Sequence, residues 1–434
     1  MSKVFKSIRS FAPVAVSAGL VLALLLGSVV PAKAGPGEVV KVGLHAVLTG
    51  AVASAHLYVN YGTLDYFRYL NETGGLDGVT VECPWYDTRA EPARAIATHR
   101  RFVDAGVILE IAYTLNNIEP NMASVVREQI PVIMTGGSSE RTVVKPQPWV
   151  FCGTWPELFL PAFAYDYIKG SWVEERPLRV GIMAIDYASA HEIIDGAKEY
   201  APAFNIEVVG AEMLPMFGTL DSTTEWMRLL SKMPDWVFLI SFGQTQTVQI
   251  KDAARLEIMK KGIKGMGFYP MEEQAIRIAG PRDTEGWFVI RHFPSTKEVG
   301  LPGMKLVQES AKKYRDMEAI GIYLLGWLGA QVAAEGIRLA IEKMGIENLS
   351  GAAVRDALAS MRDFDVGYLP PISMTDEWPI FASLLRVYRI HECNLVPASE
   401  DYVEIPYHLL KAQDLEKYGI GTLPAGVDIS KYMK

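Results

Sequence analysis

Leu70-Asn71-Glu72-Thr73-Gly74-Gly75-Leu76-Asp77-Gly78-Val79 closes one element, opens the next, and decides how the chain is read. Upstream, Leu64, Phe67 and Leu70 recur at helical spacing, and the glycine pair stops that helix with a left-handed cap. Downstream, Val79, Val81 and Trp85 alternate as in a strand that ends at Asp87-Thr88. Glu91-Pro92 starts a second helix, with Ala93, Ala97, Phe102 and Val103 expected on one buried face. Gly106 ends it, and Val107 to Ala112 is an apolar run of the length of a buried parallel strand. Strand, crossover helix and strand in this order close right-handed, with ligands expected at the carboxyl ends of the strands.

The same residues carry a family resemblance. Tyr69 through Val79, then Tyr86-Asp87, then Glu91-Pro92-Ala93-Arg94-Ala95, resemble the periplasmic binding proteins of branched-chain amino acid and amide ABC importers. Several spaced features match together, and the likeness covers nearly the whole chain after its amino-terminal segment. It implies an α/β fold of two Rossmann-like lobes, each with a parallel sheet, joined by a multi-strand hinge. Residues 35–152 and 290–370 would form the first lobe, and 153–289 and 371–434 the second.

Length and composition agree. A chain of 434 residues, 50% hydrophobic, is long for one domain and can bury a large core. Lys3, Lys6 and Arg9 precede an apolar run through Val30, and Ala32-Lys33-Ala34 presents small residues where a signal peptidase reads, so cleavage after Ala34 is expected. The alternative, an uncleaved anchor, rests on the length of that apolar run. Cleavage would remove four basic and no acidic residues and take the formal charge from -8 to -12, which argues against nucleic acid and anionic membranes as partners. The stretch around Ile320 to Ala334 reads as too short and too interrupted by glycine to span a bilayer.

Cys83, Cys152 and Cys393 are an odd count without metal-ligand spacing, and the seven histidines form no His-x-x-x-His pair. No metal or cofactor is expected. The dinucleotide Gly-x-Gly-x-x-Gly, the phosphate-loop motif and the Gly-x-Ser-x-Gly elbow are all missing, so nothing assembles nucleophile, base and orienter. The expected protein is not an enzyme.

Candidate ligand residues follow the strand ends. After the first strand, Val39 to Ala46, the loop Leu48-Thr49-Gly50 leads to Ser54 and His56 at a helix start, where backbone N–H groups favour a polar or anionic group. Ser54 read as a plain N-cap is the alternative. The next two loops, Tyr113-Thr114 and Thr135-Gly136-Gly137-Ser138-Ser139, lie side by side if their strands are neighbours. In the resembled family they hold the ligand's carboxylate, which implies roles for Tyr113, Thr114, Gly137, Ser138 and Ser139. From the second lobe, Asp186-Tyr187 is similar to a family loop that lays an aromatic on the ligand, with Ser189 behind it, and Ser241-Phe242 ends another strand.

Phe268-Tyr269 stands where the resemblance implies an acid that pairs with an ammonium, while Glu272 and Glu273 come a turn later. Either Glu272 meets an amine, or the ligand has none and Phe268 and Tyr269 face it, since an unpaired buried carboxylate is costly. Trp226 and Tyr323 read as core aromatics, with the cleft as the alternative for Tyr323.

The expected function is a monomeric periplasmic solute-binding component of an ABC importer. It would capture an amino acid, an amide or an aromatic or other carboxylate and hand it to a membrane permease. A secreted ligand sensor of the same fold is the alternative.

Overall fold

The computed structural model describes residues 37–398, apart from 51, 138–141, 143–147, 217, 269–270, 272 and 383; of Ser54 and Ala55 the backbone alone is described. The signal segment, the tail after residue 398, Ser138, Ser139, Tyr269 and Glu272 lie outside the described residues.

The deciding stretch folds as a tight reversal. Helix α1 (Ala53–Glu72) stops at Thr73, Gly74 and Gly75 take φ of 110° and 72°, and Gly75 N–H closes on Leu70 O at 2.8 Å. A Cβ on Gly75 would lie 2.1 Å from the carbonyl oxygen of Val79, so only glycine fits. Strand β1 (Val39–Ala46) then pairs in parallel with β2 (Thr80–Glu82) and β3 (Trp85–Asp87). The break at Cys83-Pro84 shifts the alternation: Val79 and Val81 are buried, but Trp85 is 46% exposed.

Helix α2 (Pro92–Ala105) has Pro at its first position and ends at Gly106 with φ 73°. Its buried face is Ala95, Thr98, His99 and Phe102, whereas Ala93 and Ala97 point to solvent. The expected stripe holds at Phe102 and fails at Ala93 and Ala97, because the covered face carries a polar pair, Thr98 and His99. His99 Nδ1 and His45 Nε2 each lie 2.7 Å from a different oxygen of Glu110, and all three side chains are buried.

Strands β4 (Leu109–Ala112), β5 (Val132–Met134) and β6 (Val150–Cys152) complete the first sheet, in the order β2-β1-β4-β5-β6. All its pairings among the described residues are parallel. Between β4 and β5 the chain forms the single turn α3 (Leu115–Ile118) and helix α4 (Met122–Glu128).

The second sheet alternates in the same way. Helix α5 (Leu160–Lys169) precedes β7 (Leu178–Ile185), α6 (Ala188–Tyr200), β8 (Ile206–Leu214), α7 (Thr223–Leu230) and β9 (Trp236–Ile240). Next come α8 (Gly243–Arg255), β10 (Lys264–Gly267), the short helices α9 (Glu273–Ala279) and α10 (Pro281–Thr284), and β11 (Phe288–Arg291). The strand order is β13-β12-β11-β10-β9-β7-β8, with the edge pair β12 (Arg386–His391) and β13 (Asn394–Pro397) antiparallel. Trp226 is fully buried, and its indole N–H donates to Gln249 O at 3.0 Å, a packing role.

Helices α11 (Met304–Arg315), α12 (Gly321–Met344) and α13 (Gly351–Ala359) return to cover the first sheet. At 24 residues α12 is longer than the sequence suggested, and long and apolar enough for a membrane span; most of it is buried in the first core. Its glycines are contact points. A Cβ on Gly326 would lie 1.9 Å from Val59 O, and one on Gly62 would lie 2.0 Å from Tyr323 O, so α1 and α12 touch backbone to backbone. Tyr323 is buried there and its hydroxyl reaches Asp65 at 3.2 Å.

Among the described residues the chain passes between the lobes at three places. Phe151 packs in the first core and Trp155 in the second; Ile290 packs in the second and Phe293 in the first. The third passage is spread out, since Ile372, Met374, Phe381 and Ala382 pack with the first core but Trp378, Ile380 and Leu385 with the second. It runs beside the first passage, with Cys152 N–H on Pro379 O at 2.7 Å and Phe381 N–H on Cys152 O at 2.9 Å.

Candidate functional site

A cavity of about 280 Å³ opens where the two lobes face each other at the carboxyl ends of their strands. The first lobe lines it with Val52 and His56 from the start of α1, Ala90, the segment Tyr113 to Asn116, and Gly137. The second lobe supplies Asp186 to Ser189, Met216 and Phe242.

Backbone hydrogen bonds place the first-lobe loops. Thr135 N–H bonds Ala112 O at 2.8 Å, and a Cβ on Gly136 would sit 2.0 Å from Tyr113 O. The loops after β4 and β5 are therefore in contact, and Gly136 is there because nothing larger fits. Asp87 braces the loop after β1: its carboxylate accepts from Leu48 N–H at 2.9 Å, Arg89 N–H at 3.2 Å and Thr49 N–H at 3.4 Å, and also from the Thr49 hydroxyl. Partial burial pulls the Asp87 pKa up, but the Thr49 hydroxyl and these N–H groups outweigh it and hold the carboxyl below its usual range. Arg89 and Ala90 follow with φ of 55° and 57°, a left-handed pair without glycine that turns Ala90 toward the cavity.

Four helices begin at this cavity. Val52 precedes α1, Thr114 precedes α3, Tyr187 precedes α6 and Phe242 precedes α8, and no side chain caps any of the four. Their leading N–H groups give the cavity a partial positive character suited to a polar or anionic ligand group.

The walls are aromatic. His56 meets Tyr113 edge to face at 4.9 Å, and Tyr187 meets Phe242 the same way at 5.2 Å. His56 is buried, and burial lowers its pKa to about 4, opposed by the hydrogen bond from Nδ1 to Val52 O at 2.7 Å, so the imidazole is neutral at pH 7. Burial pushes the Tyr187 hydroxyl well above its ordinary range, with Glu157 and Tyr113 adding to the shift. That hydroxyl is covered and has no hydrogen-bond partner among the described residues.

Of the residues that the sequence singled out, His56, Tyr113, Thr114, Gly137, Tyr187 and Phe242 come together here. Ser54 lies in the first turn of α1. Phe268 does not face the cavity. It is 1% exposed and packs edge to face on Phe238 at 5.3 Å in the second core. Parity explains the correction, since Met266 and Phe268 lie two apart and share one face. Glu273 is also committed elsewhere, with Oε1 2.8 Å from Arg291 Nη1. Asp186 is the one carboxylate among the described lining residues; it is exposed and 2.8 Å from His191 Nε2. Sequence reasoning missed Val52, Ala90, Leu115, Asn116, Ala188 and Met216. Leu115, Asn116, Ala188 and Met216 had an available signal, their places just after β4, β7 and β8. Among the described residues no group of three His, Cys, Asp or Glu side chains could hold a metal.

Residues 39–392 match the family model described as periplasmic binding protein, and the chain belongs to that family. No curated protein matches it. Among solved structures it is similar to a branched chain amino acid ABC transporter from Thermus thermophilus with bound valine, at 20% identity and TM-score 0.76 over 84% of this chain and 96% of that one. It is also similar to a substrate binding protein of an ABC transporter from Aeropyrum pernix, at 19% identity and TM-score 0.74 over 88% of this chain and 99% of that one. A third is the solute binding protein of an ABC transporter from Rhodopseudomonas palustris BisB5 in complex with 3,4-dihydroxy benzoic acid, at 18% identity and TM-score 0.72 over 85% and 99%. At these identities the likeness shows the fold, a type I periplasmic binding protein.

Proposed function

We propose that this member of the periplasmic binding protein family is the solute-binding component of an ABC importer, which captures a small organic ligand between its lobes and presents it to a membrane permease. The observation that carries this reading is the interlobe cavity, where aromatic walls from both lobes meet four uncapped helix starts. The first lobe holds the polar end of the ligand through Thr114 and the 137–139 loop, and closure brings Tyr187 and Phe242 across it. Closure is driven only by contacts that exist in the closed state, so affinity depends on both lobes.

The solved relatives with bound valine and with 3,4-dihydroxy benzoic acid support an amino acid or an aromatic carboxylate as the ligand class. In this reading the chain matures by cleavage after Ala34, acts as a monomer in the periplasm, and releases its ligand chemically unchanged. The lobes comprise roughly 35–152 with 292–374, and 153–291 with the residues from about 375 on.

Titration calorimetry with amino acids, amides and benzoic acids, paired with small-angle scattering, tests the reading. One ligand class should bind and make the particle more compact, and mass spectrometry should recover the ligand intact. Scattering that no ligand of these classes changes, or recovery of a converted product, would overturn it.

A further inference from the structure

His56 carries information about the ligand that its position alone does not. Its Nδ1 lies 2.7 Å from the carbonyl oxygen of Val52, which can only accept, so Nδ1 bears the ring hydrogen. In a neutral imidazole the other nitrogen, Nε2, is then a bare acceptor. The edge-to-face contact with Tyr113 at 4.9 Å and 79° fixes the ring plane, and the ring lines the cavity with Nε2 making no hydrogen bond to any described residue. Reversing the tautomer would set two lone pairs against each other at 2.7 Å. Tyr187 on the facing lobe can donate or accept, so it does not choose between ligand groups; His56 does.

We propose that His56 is a specificity-determining residue that reads a hydrogen-bond donor: the ligand is a small carboxylic acid that also carries an O–H or N–H group directed at Nε2. This rests on the solute-binding reading above and narrows it. Once the lobes close on it, an acid without such a donor leaves Nε2 facing an acceptor or a hydrocarbon, the costly case of an unmatched buried polar group. A hydroxybenzoate and an amino acid both supply the donor, one through a phenol and the other through its ammonium. Benzoate and 3-methylbutanoate are the matching acids that do not.

Two measurements on the full mature chain test the proposal. Nitrogen-15 spectra of the histidine-labelled protein at pH 7, with the resonances assigned through His56→Phe, should show Nδ1 protonated and Nε2 bare. An Nε2–H tautomer, or a doubly protonated ring, overturns the proposal whether or not any ligand is found. Calorimetry of 4-hydroxybenzoate against benzoate, and of L-valine against 3-methylbutanoate, reads the consequence and separates the two donor sources. In the pair that binds, the donor-bearing acid should bind at least about tenfold tighter, and His56→Phe should abolish that preference. Equal affinity within that pair, or a preference that survives in the variant, overturns the proposal. If none of the four acids binds, the ligand classes named for the importer fail, while the tautomer spectrum still decides the role of His56.

Discussion

Glu273 and Arg291 form an ion pair at 2.8 Å beside the second passage between the lobes, with Arg291 fully buried and Glu273 nearly so. The same Glu273 oxygen accepts from Gly321 N–H, at the start of α12, at 3.2 Å. One carboxylate on the second lobe thus meets both its own lobe's last parallel strand and the first N–H of the first lobe's central helix. Removing either partner strands a buried charge, so Arg291→Met and Glu273→Ala should each cost about 3–5 kcal/mol in urea unfolding. The double variant should lose less than the sum of the two. Single losses below about 1 kcal/mol would show that the pair is not holding this junction.

Acid should weaken the fold through buried histidines. Burial lowers the His56 pKa from 6.5 to about 4, and burial followed by Arg291 lowers that of His292 to about 3. Below pH 6.5 the unfolded chain takes up protons that the folded one refuses, so stability falls as the pH drops from 6.5 toward 4. His56→Phe should remove up to about 3 kcal/mol of that fall, read from denaturation midpoints across the range.

Glu110 acts in a lower window. Burial pulls its pKa up, but the charges and hydrogen bonds of His45 and His99 outweigh burial and hold the carboxyl below its ordinary value. A depressed carboxyl contributes stability above its unfolded pKa and loses it as the pH falls through the folded one. Glu110→Gln should therefore lower stability at pH 7 by at least about 1 kcal/mol and flatten the acid limb below pH ~4.5. An unchanged acid limb would remove the two imidazoles as its cause.

At the contact between α1 and α12, helix propensity and packing give opposite signs. Alanine in place of a mid-helix glycine should gain about 1 kcal/mol from propensity. At Gly62 and Gly326 the new methyl would meet a carbonyl oxygen at 2.0 Å and 1.9 Å. Gly62→Ala and Gly326→Ala should therefore each cost about 1–3 kcal/mol, seen as a lowered Tm. A raised Tm would mean the helices can part.

Much of the fold could be read because periodicity and punctuation agreed. The first strand, Val39–Ala46, was read with the bounds observed, and the Gly74-Gly75 turn falls where its residues place it. What failed were features that tertiary contacts set. The buried face of α2 was missed in part because it holds Thr98 and His99, whose burial makes sense only once Glu110 lies beneath them. The hairpin of β12 and β13 turns on Glu392 and Cys393 with φ of 48° and 61°, and without the glycine that marks such turns. At the site, residues that present side chains from strand ends, such as Thr114, Tyr187 and Phe242, were legible. Ala90 was not, because it reaches the cavity through a backbone turn that its side chain does not announce. Phe268 belongs to the core because a one-residue change of parity moves an aromatic from cleft to core.

Asp87 already occupies the N–H groups and the hydroxyl of the loop that it holds, so the approach to the cavity wall at Val52 keeps its shape before any guest arrives. Little order remains to be imposed there on capture, and the entropy of assembling that wall was spent during folding. A change of diet would then call for new side chains hung on a standing frame, with no rebuilding of the frame itself.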